Sequence, residues 1–197
     1  MRVEILGTLV DKITMEDALA KVEAFIREEK PRHIITLNAE IIYRAQTEAR
    51  LKKVINQADL VTPDGAGVVW ASHKLGDPLP ERVTGIDLML KIAEQASQKG
   101  WMRYLCGAAP GIAKPAARNL EKNFTGIKRV GTKHGFLSSK EMDEMIAHIK
   151  AQKPQVLFVA LGAPRQEYWI REHLEELQVP VCMGVGGSFD VISGKVK

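Results

Sequence analysis

The sequence is poor in the residues that staple, ligate or stack. It has two cysteines in 197 residues, Cys106 and Cys182. Each lies in an apolar run, MRYLCG and VPVCMGVGG, and there is no CxxC pair and no His/Cys cluster. That excludes a disulfide framework and a structural zinc site, and leaves two buried, unreactive thiols. Aromatic residues make up 6% of the chain and no basic, aromatic-studded segment occurs, so no nucleic-acid partner is expected. No apolar run approaches the roughly 18 residues that a membrane span needs. The opening residues, MRVEILGTLVDKIT, carry acids and no long apolar core, which excludes a signal peptide. A cytoplasmic protein is expected, with contact to a membrane surface left open. No GxGxxG is followed about 20 residues later by an acid at a strand end, which disfavours a dinucleotide site. There is no low-complexity tract and no fixed-period repeat.

What is present is an ordinary soluble composition, 45% hydrophobic and 26% charged. A net charge of +4 favours anionic partners such as nucleotides, phosphates or acidic lipids. A chain of this length folds as one domain, residues 1–197, with approximate lobes at 1–98 and 99–197. Strand-like and helix-like segments alternate along it. Strands are predicted over 3–10, 33–38, 59–62, 102–107, 155–162 and 179–187, with a strand and loop over 128–135. Helices are predicted from a Thr14/Asp17 capping-box start to Pro31, over 39–58, from a start in GVVWASHKLG (67–76), and over 86–100, closed by Gly100. Three more follow: 110–124, with Pro115 in the first turn or at a kink, 138–153, capped by Ser138 or Ser139, and 164–177. Residues 71–85, with two prolines and two glycines, read as a loop. The alternation implies an α/β fold: a layered, mainly parallel Rossmann-like sheet flanked by helices, with the apolar QVLFVALG as a central strand.

Ligands of such sheets bind beyond the carboxyl ends of the strands. The residues placed there are Thr36, Asn38 and Glu40, then Asp64 between Pro63 and Gly65. Gly107 opens GAAPG, Gly131 and His134 sit in GTKHG, Gly162 and Gln166 in GAPRQE, and Gly186, Gly187 and Asp190 in GVGGSFD. Glycine-rich corners leading into helix N-termini suit a nucleotide diphosphate, because the backbone can come close and offers free N–H groups. Each feature also has a plain structural reading. GAAPG can be a tight turn, Asp64 can cap the helix that follows, His134 can be a surface residue, and Arg82 can serve an ion pair. Gln166 and Glu167 suit a first helical turn. Lys114, Arg118, Lys122, Lys128, Arg129 and Lys133 read as a solvated face, with anionic lipid as the alternative.

Six stretches taken in order carry a more specific signal: TLNAE (36–40), TPDGAG (62–67), ERVTGIDL (81–88), HGF (134–136), LGAPRQEYW (161–169) and GVGGSFDVISG (184–194). In order and spacing they resemble the WecG/TagA/CpsF glycosyltransferase family, most closely its TagA branch, over essentially the whole chain. The resemblance implies an inverting transfer of N-acetylmannosamine from a UDP donor to undecaprenyl-diphosphate-linked N-acetylglucosamine, early in wall teichoic acid synthesis. It implies an N-terminal lobe facing a nucleotide-binding C-terminal half. It places the general base on Asp64 and companion polar residues on Thr36, Asn38, Arg82 and Gln166. The UDP rim would then be Gly107, Gly131, His134, Gly162, Gly186, Gly187 and Asp190. The chemistry asks for such a set: a carboxylate to take the acceptor hydroxyl's proton, and donors to meet the charge growing on the leaving UDP. No Asp-x-Asp occurs, so no metal or other cofactor is expected and N–H groups with basic side chains take that role. The family pattern continues past VISGKVK, and the resemblance implies a further tail with arginines and apolar residues that completes the site and meets the inner face of the cell membrane. A homo-oligomer is compatible. The alternatives are a relative using another UDP-sugar such as UDP-N-acetylmannosaminuronic acid, a nucleotide-binding oxidoreductase, and a non-catalytic nucleotide sensor.

Overall fold

The computed structural model describes residues 1–126 and 128–196; Ile127 and Lys197, the last residue of VISGKVK, lie outside them. The chain opens with β1 (Arg2–Ile5) and β2 (Thr8–Asp11), then α1 (Met15–Glu28), β3 (His33–Leu37), α2 (Ala39–Arg44), α3 (Ala49–Gln57), β4 (Leu60–Pro63) and α4 (Ala66–Lys74). It continues with α5 (Gly85–Lys99), β5 (Met102–Gly107), α6 (Ala113–Asn123), β6 (Lys128–Lys133) and α7 (Ser139–Gln152). The last elements are β7 (Val156–Ala160), α8 (Arg165–Leu177), β8 (Val181–Gly184) and α9 (Ser188–Ile192). Six strands form one parallel sheet in the order β4-β3-β8-β7-β5-β6. The sheet is continuous across the two halves of the chain, because β3 pairs with β8 through His33–Cys182 and Ile34–Met183.

Alternating side chains divide the core. On β7, Val156, Phe158 and Ala160 face one layer with α1, α5 and α6, while Leu157 and Val159 face the other with α7 and α8. All five are buried, which explains the unbroken apolar run. The helix ends follow their local chemistry. Thr14 and Ser138 each form a capping box, with Asp17 and Glu141. Gly100 closes α5 at a φ of 73°, while α1 ends on a left-handed Glu29 before Pro31 is reached. Both cysteines are buried and free, and burial pushes the Cys106 thiol up to about 12.

Three predicted elements differ, and one element was not predicted. Residues 3–10 are not one strand: Leu6 and Gly7, at φ 50° and 77°, turn the chain into the antiparallel β1–β2 hairpin. The helix over 39–58 is two, α2 and α3, broken at Gln46–Glu48. The loop begins after Lys74 rather than at 71, since α4 continues through the polar Ser72–Lys74. Finally, α9 follows the last glycine corner, where no helix was predicted.

Candidate functional site

The carboxyl ends of β3, β4, β7 and β8 open into one cavity of about 630 Å³. Thr36, Asn38, Asp64, Arg82, Gln166, Gly162, Gly186 and Gly187 all line it. They arrive from five corners of the fold, and the local folding explains how they are held. Asn38 caps α2, its Oδ1 accepting from the Ile41 N–H at 3.0 Å, so its amide nitrogen is left for the cavity. Thr36 sits under the first turn of α5. A Cβ on Gly85 would come within 3.1 Å of the Thr36 hydroxyl, so a larger residue there would press on it.

Asp64 does not cap the helix that follows it. The N-cap of α4 is Gly65, and no side chain caps that end. The Asp64 backbone is fixed from both sides: its N–H donates to Leu37 O at 2.9 Å, and Arg82 Nε donates to its carbonyl at 2.7 Å. The neighbouring Pro63 O accepts from Val83 N–H at 2.8 Å, which ties the segment before α5 to the end of β4. The half-buried carboxyl then faces the N-terminus of α5. Burial raises its pKa; the Gly85 N–H and the Arg82 charge pull it down, and Asp87 pushes it up again. The net shift is upward, which makes the carboxylate a stronger base than an ordinary aspartate.

A second cavity of about 330 Å³ adjoins the first and shares Gly162, Gly186 and Gly187 with it. It also takes in Ala108, Ala109, Phe136, Arg165 and Asp190. It lies where the chain leaves β5 toward β6 on one side and β7 toward β8 on the other, the switch point at which open α/β sheets bind ligands. The predicted rim is thus divided. Gly162, Gly186, Gly187 and Asp190 border the cavities, whereas Gly107, Gly131 and His134 line neither. Packing accounts for the two glycines: a Cβ would stand 2.4 Å from Ala160 O at Gly107 and 2.4 Å from the Tyr104 ring at Gly131. His134 Nδ1 accepts from the Phe136 N–H at 3.3 Å, within its own turn.

Glu40, placed beyond β3 from the sequence, lines the main cavity too. The structure also places residues that the sequence did not single out: Arg44, four residues after Glu40 on α2, and Thr84 and Asp87, the paired cap of α5, line the main cavity. The spacing of Glu40 and Arg44 on one helix face was the available signal. Glu167 differs most from its sequence reading. It is an acid 1% exposed, directly behind Gln166. Gln166 Nε2 donates to Glu167 Oε1 at 2.9 Å, and Gln166 Oε1 accepts from the Gly186 N–H at 3.0 Å. Burial pushes the Glu167 carboxyl up to about 7, against the downward pull of Gln166 and of its own N–H. Among the described residues, no group of three or more His, Cys, Asp or Glu side chains could hold a metal ion, and no helix is long and apolar enough to cross a membrane.

Comparison with known proteins identifies the family. The sequence profile of the Glycosyl transferase WecG/TagA/CpsF family matches residues 3–197. A protein of Bacillus spizizenii is 36% identical over 173 residues, which cover 88% of this chain and 66% of that relative. A protein of Staphylococcus aureus is 36% identical over 201 residues, covering all of this chain and 77% of the relative. Both are named N-acetylglucosaminyldiphosphoundecaprenol N-acetyl-beta-D-mannosaminyltransferase. The chain belongs to the WecG/TagA/CpsF family of glycosyltransferases.

Proposed function

We propose that this glycosyltransferase moves N-acetylmannosamine from UDP-N-acetylmannosamine to undecaprenyl-diphosphate-linked N-acetylglucosamine, with inversion, to give a β-linked lipid disaccharide of wall teichoic acid synthesis. The reading takes its acceptor and sugar from the names of the two relatives. The observation that carries it in this chain is Asp64: a half-buried carboxyl of raised pKa, held by its own backbone on the wall of a cavity that shares Gly162, Gly186 and Gly187 with a second one.

In the proposed reaction an acceptor hydroxyl attacks C1 of the donor sugar. Asp64 takes the hydroxyl proton as the new C1–O bond forms, and the bond from C1 to the diphosphate breaks with its electron pair leaving on UDP. Arg82 and the backbone at Gly162 and Gly187 meet the charge that develops there, with no metal. Since the acceptor is a polyprenyl lipid, the protein works at the inner face of the cell membrane as a peripheral enzyme.

The test is product formation from labelled UDP-N-acetylmannosamine and a short-chain lipid acceptor, with and without EDTA. The expected result is a disaccharide lipid at a rate that EDTA does not change. Transfer from UDP-N-acetylmannosaminuronic acid instead would move the protein to another branch of the family, and transfer abolished by EDTA would remove the metal-free step.

A further inference from the structure

The feature that the proposed reaction leaves unexplained is Glu167. A carboxyl so nearly sealed from water is costly unless its oxygens are engaged, and Glu167 Oε2 has no hydrogen-bond partner. A first-turn acid serving only the helix dipole sits at the surface, where water solvates it. This one is buried, and the side-chain contact it makes is with Gln166.

The direction of that contact is fixed by chemistry. The Gly186 N–H can only donate, so the Gln166 atom facing it is the oxygen. The Gln166 nitrogen must then face Glu167, which supplies the acceptor. Gly184 confines the amide further, since a Cβ there would stand 2.8 Å from Gln166 Nε2. At the far end Gly186 has a φ of 52°, a left-handed turn whose N–H is tied to Gln166. That turn sets Gly187, which is exposed and borders both cavities.

We infer that Glu167 is a positioning residue: it orients the Gln166 amide, and through Gln166 it holds the Gly186–Gly187 turn in the shape that receives the donor's diphosphate. The inference rests on the UDP-donor reading above. Glu167 touches no substrate in it; Gln166 and the turn do.

The experiment is a double-mutant cycle read by calorimetric UDP binding. Glu167→Met, similar in size but with no acceptor, weakens UDP binding about tenfold, the usual effect of stranding one buried partner. Glu167→Gln, whose amide oxygen restores the acceptor, recovers most of that loss. Gln166→Ala alone and Gln166→Ala with Glu167→Met bind equally, because the second residue acts only through the first. Wild-type affinity in Glu167→Met, or losses that add in the double variant, would overturn the inference. Hydrogen exchange in the unliganded wild-type protein needs no substitution and covers the case in which Glu167→Met does not fold. The Gly186 amide and the Gln166 side-chain NH2 exchange slowly there, and exchange of either as fast as an open amide would also overturn it. If the wild type binds no UDP, the donor reading fails, and the exchange measurement still decides whether the relay exists.

Discussion

The two walls of the cleft are built from different materials. The wall from the first half of the chain is made of side chains: Thr36, Asn38, Asp64 and Arg82, held at strand ends by capping and backbone hydrogen bonds. The wall from the second half carries three glycines, Gly162, Gly186 and Gly187, and also Gln166 with the buried Glu167 behind it. The first carries a half-buried carboxyl. The second has three glycines at which an added Cβ would meet nothing within 4 Å. Under the proposed function that difference is a division of labour. Reactive groups need side chains whose protonation can change, while a diphosphate is held well by close, fixed N–H groups.

Substitutions should separate the walls. The largest effect is expected at Asp64. Asp64→Asn keeps the shape and removes the proton acceptor, so kcat falls by about 10²–10⁴-fold while UDP affinity stays within about twofold. A comparable loss of UDP affinity would merge the two walls into one binding surface. Next is Glu167, through stability rather than rate. Its pKa rises from the ordinary 4.5 to about 7 on burial. Between those values the folded protein holds a proton that the unfolded chain has released, so stability falls as pH rises. The slope is about 1.4 kcal/mol for each pH unit. Denaturant melts from pH 4.5 to 7.5 would show it, and Glu167→Gln would flatten it; the same slope in both proteins would assign it elsewhere.

A smaller effect distinguishes glycines that serve the fold from those that serve a ligand. Gly187 has an ordinary φ of −77° and open space where a Cβ would go. Gly187→Ala should therefore change stability by less than about 1 kcal/mol, yet weaken UDP binding about tenfold through the lost close approach. Gly131→Ala should do the reverse, since its Cβ would strike Tyr104 and it lines neither of the two site cavities. The smallest effect is on the acid limb of the pH–rate profile. Arg82 lowers the Asp64 pKa and Asp87 raises it. Arg82→Ala should move the limb to higher pH and Asp87→Asn to lower pH; shifts of the same sign would show that another group titrates.

Much of the fold was legible because burial writes itself into the sequence. The apolar run of β7 and the capping residues Thr14 and Ser138 were readable directly. The β1–β2 hairpin was hidden because Leu6, an apolar residue, takes the left-handed position that a turn usually gives to Asn or Gly. The break between α2 and α3 has no Gly or Pro to mark it. At the site, the sheet topology gathers the strand ends: Thr36, Asn38, Asp64 and Gln166 line one cavity, with Arg82 from the segment before α5. Gly107 and Gly131 showed the limit of that rule, since a tight neighbour demands glycine as strongly as a ligand does. Glu167 could not be found from sequence, because a first-turn acid looks the same whether water or a buried amide faces it.

The central claim is that the glycine-bearing wall is a metal-free site for UDP, set beside an acid that does the chemistry. The most direct measurement is calorimetric titration of the protein with UDP, GDP and NAD, each with and without EDTA. The account predicts saturable binding of UDP alone, with the same affinity in EDTA. Binding of NAD, or UDP binding that EDTA abolishes, would contradict it.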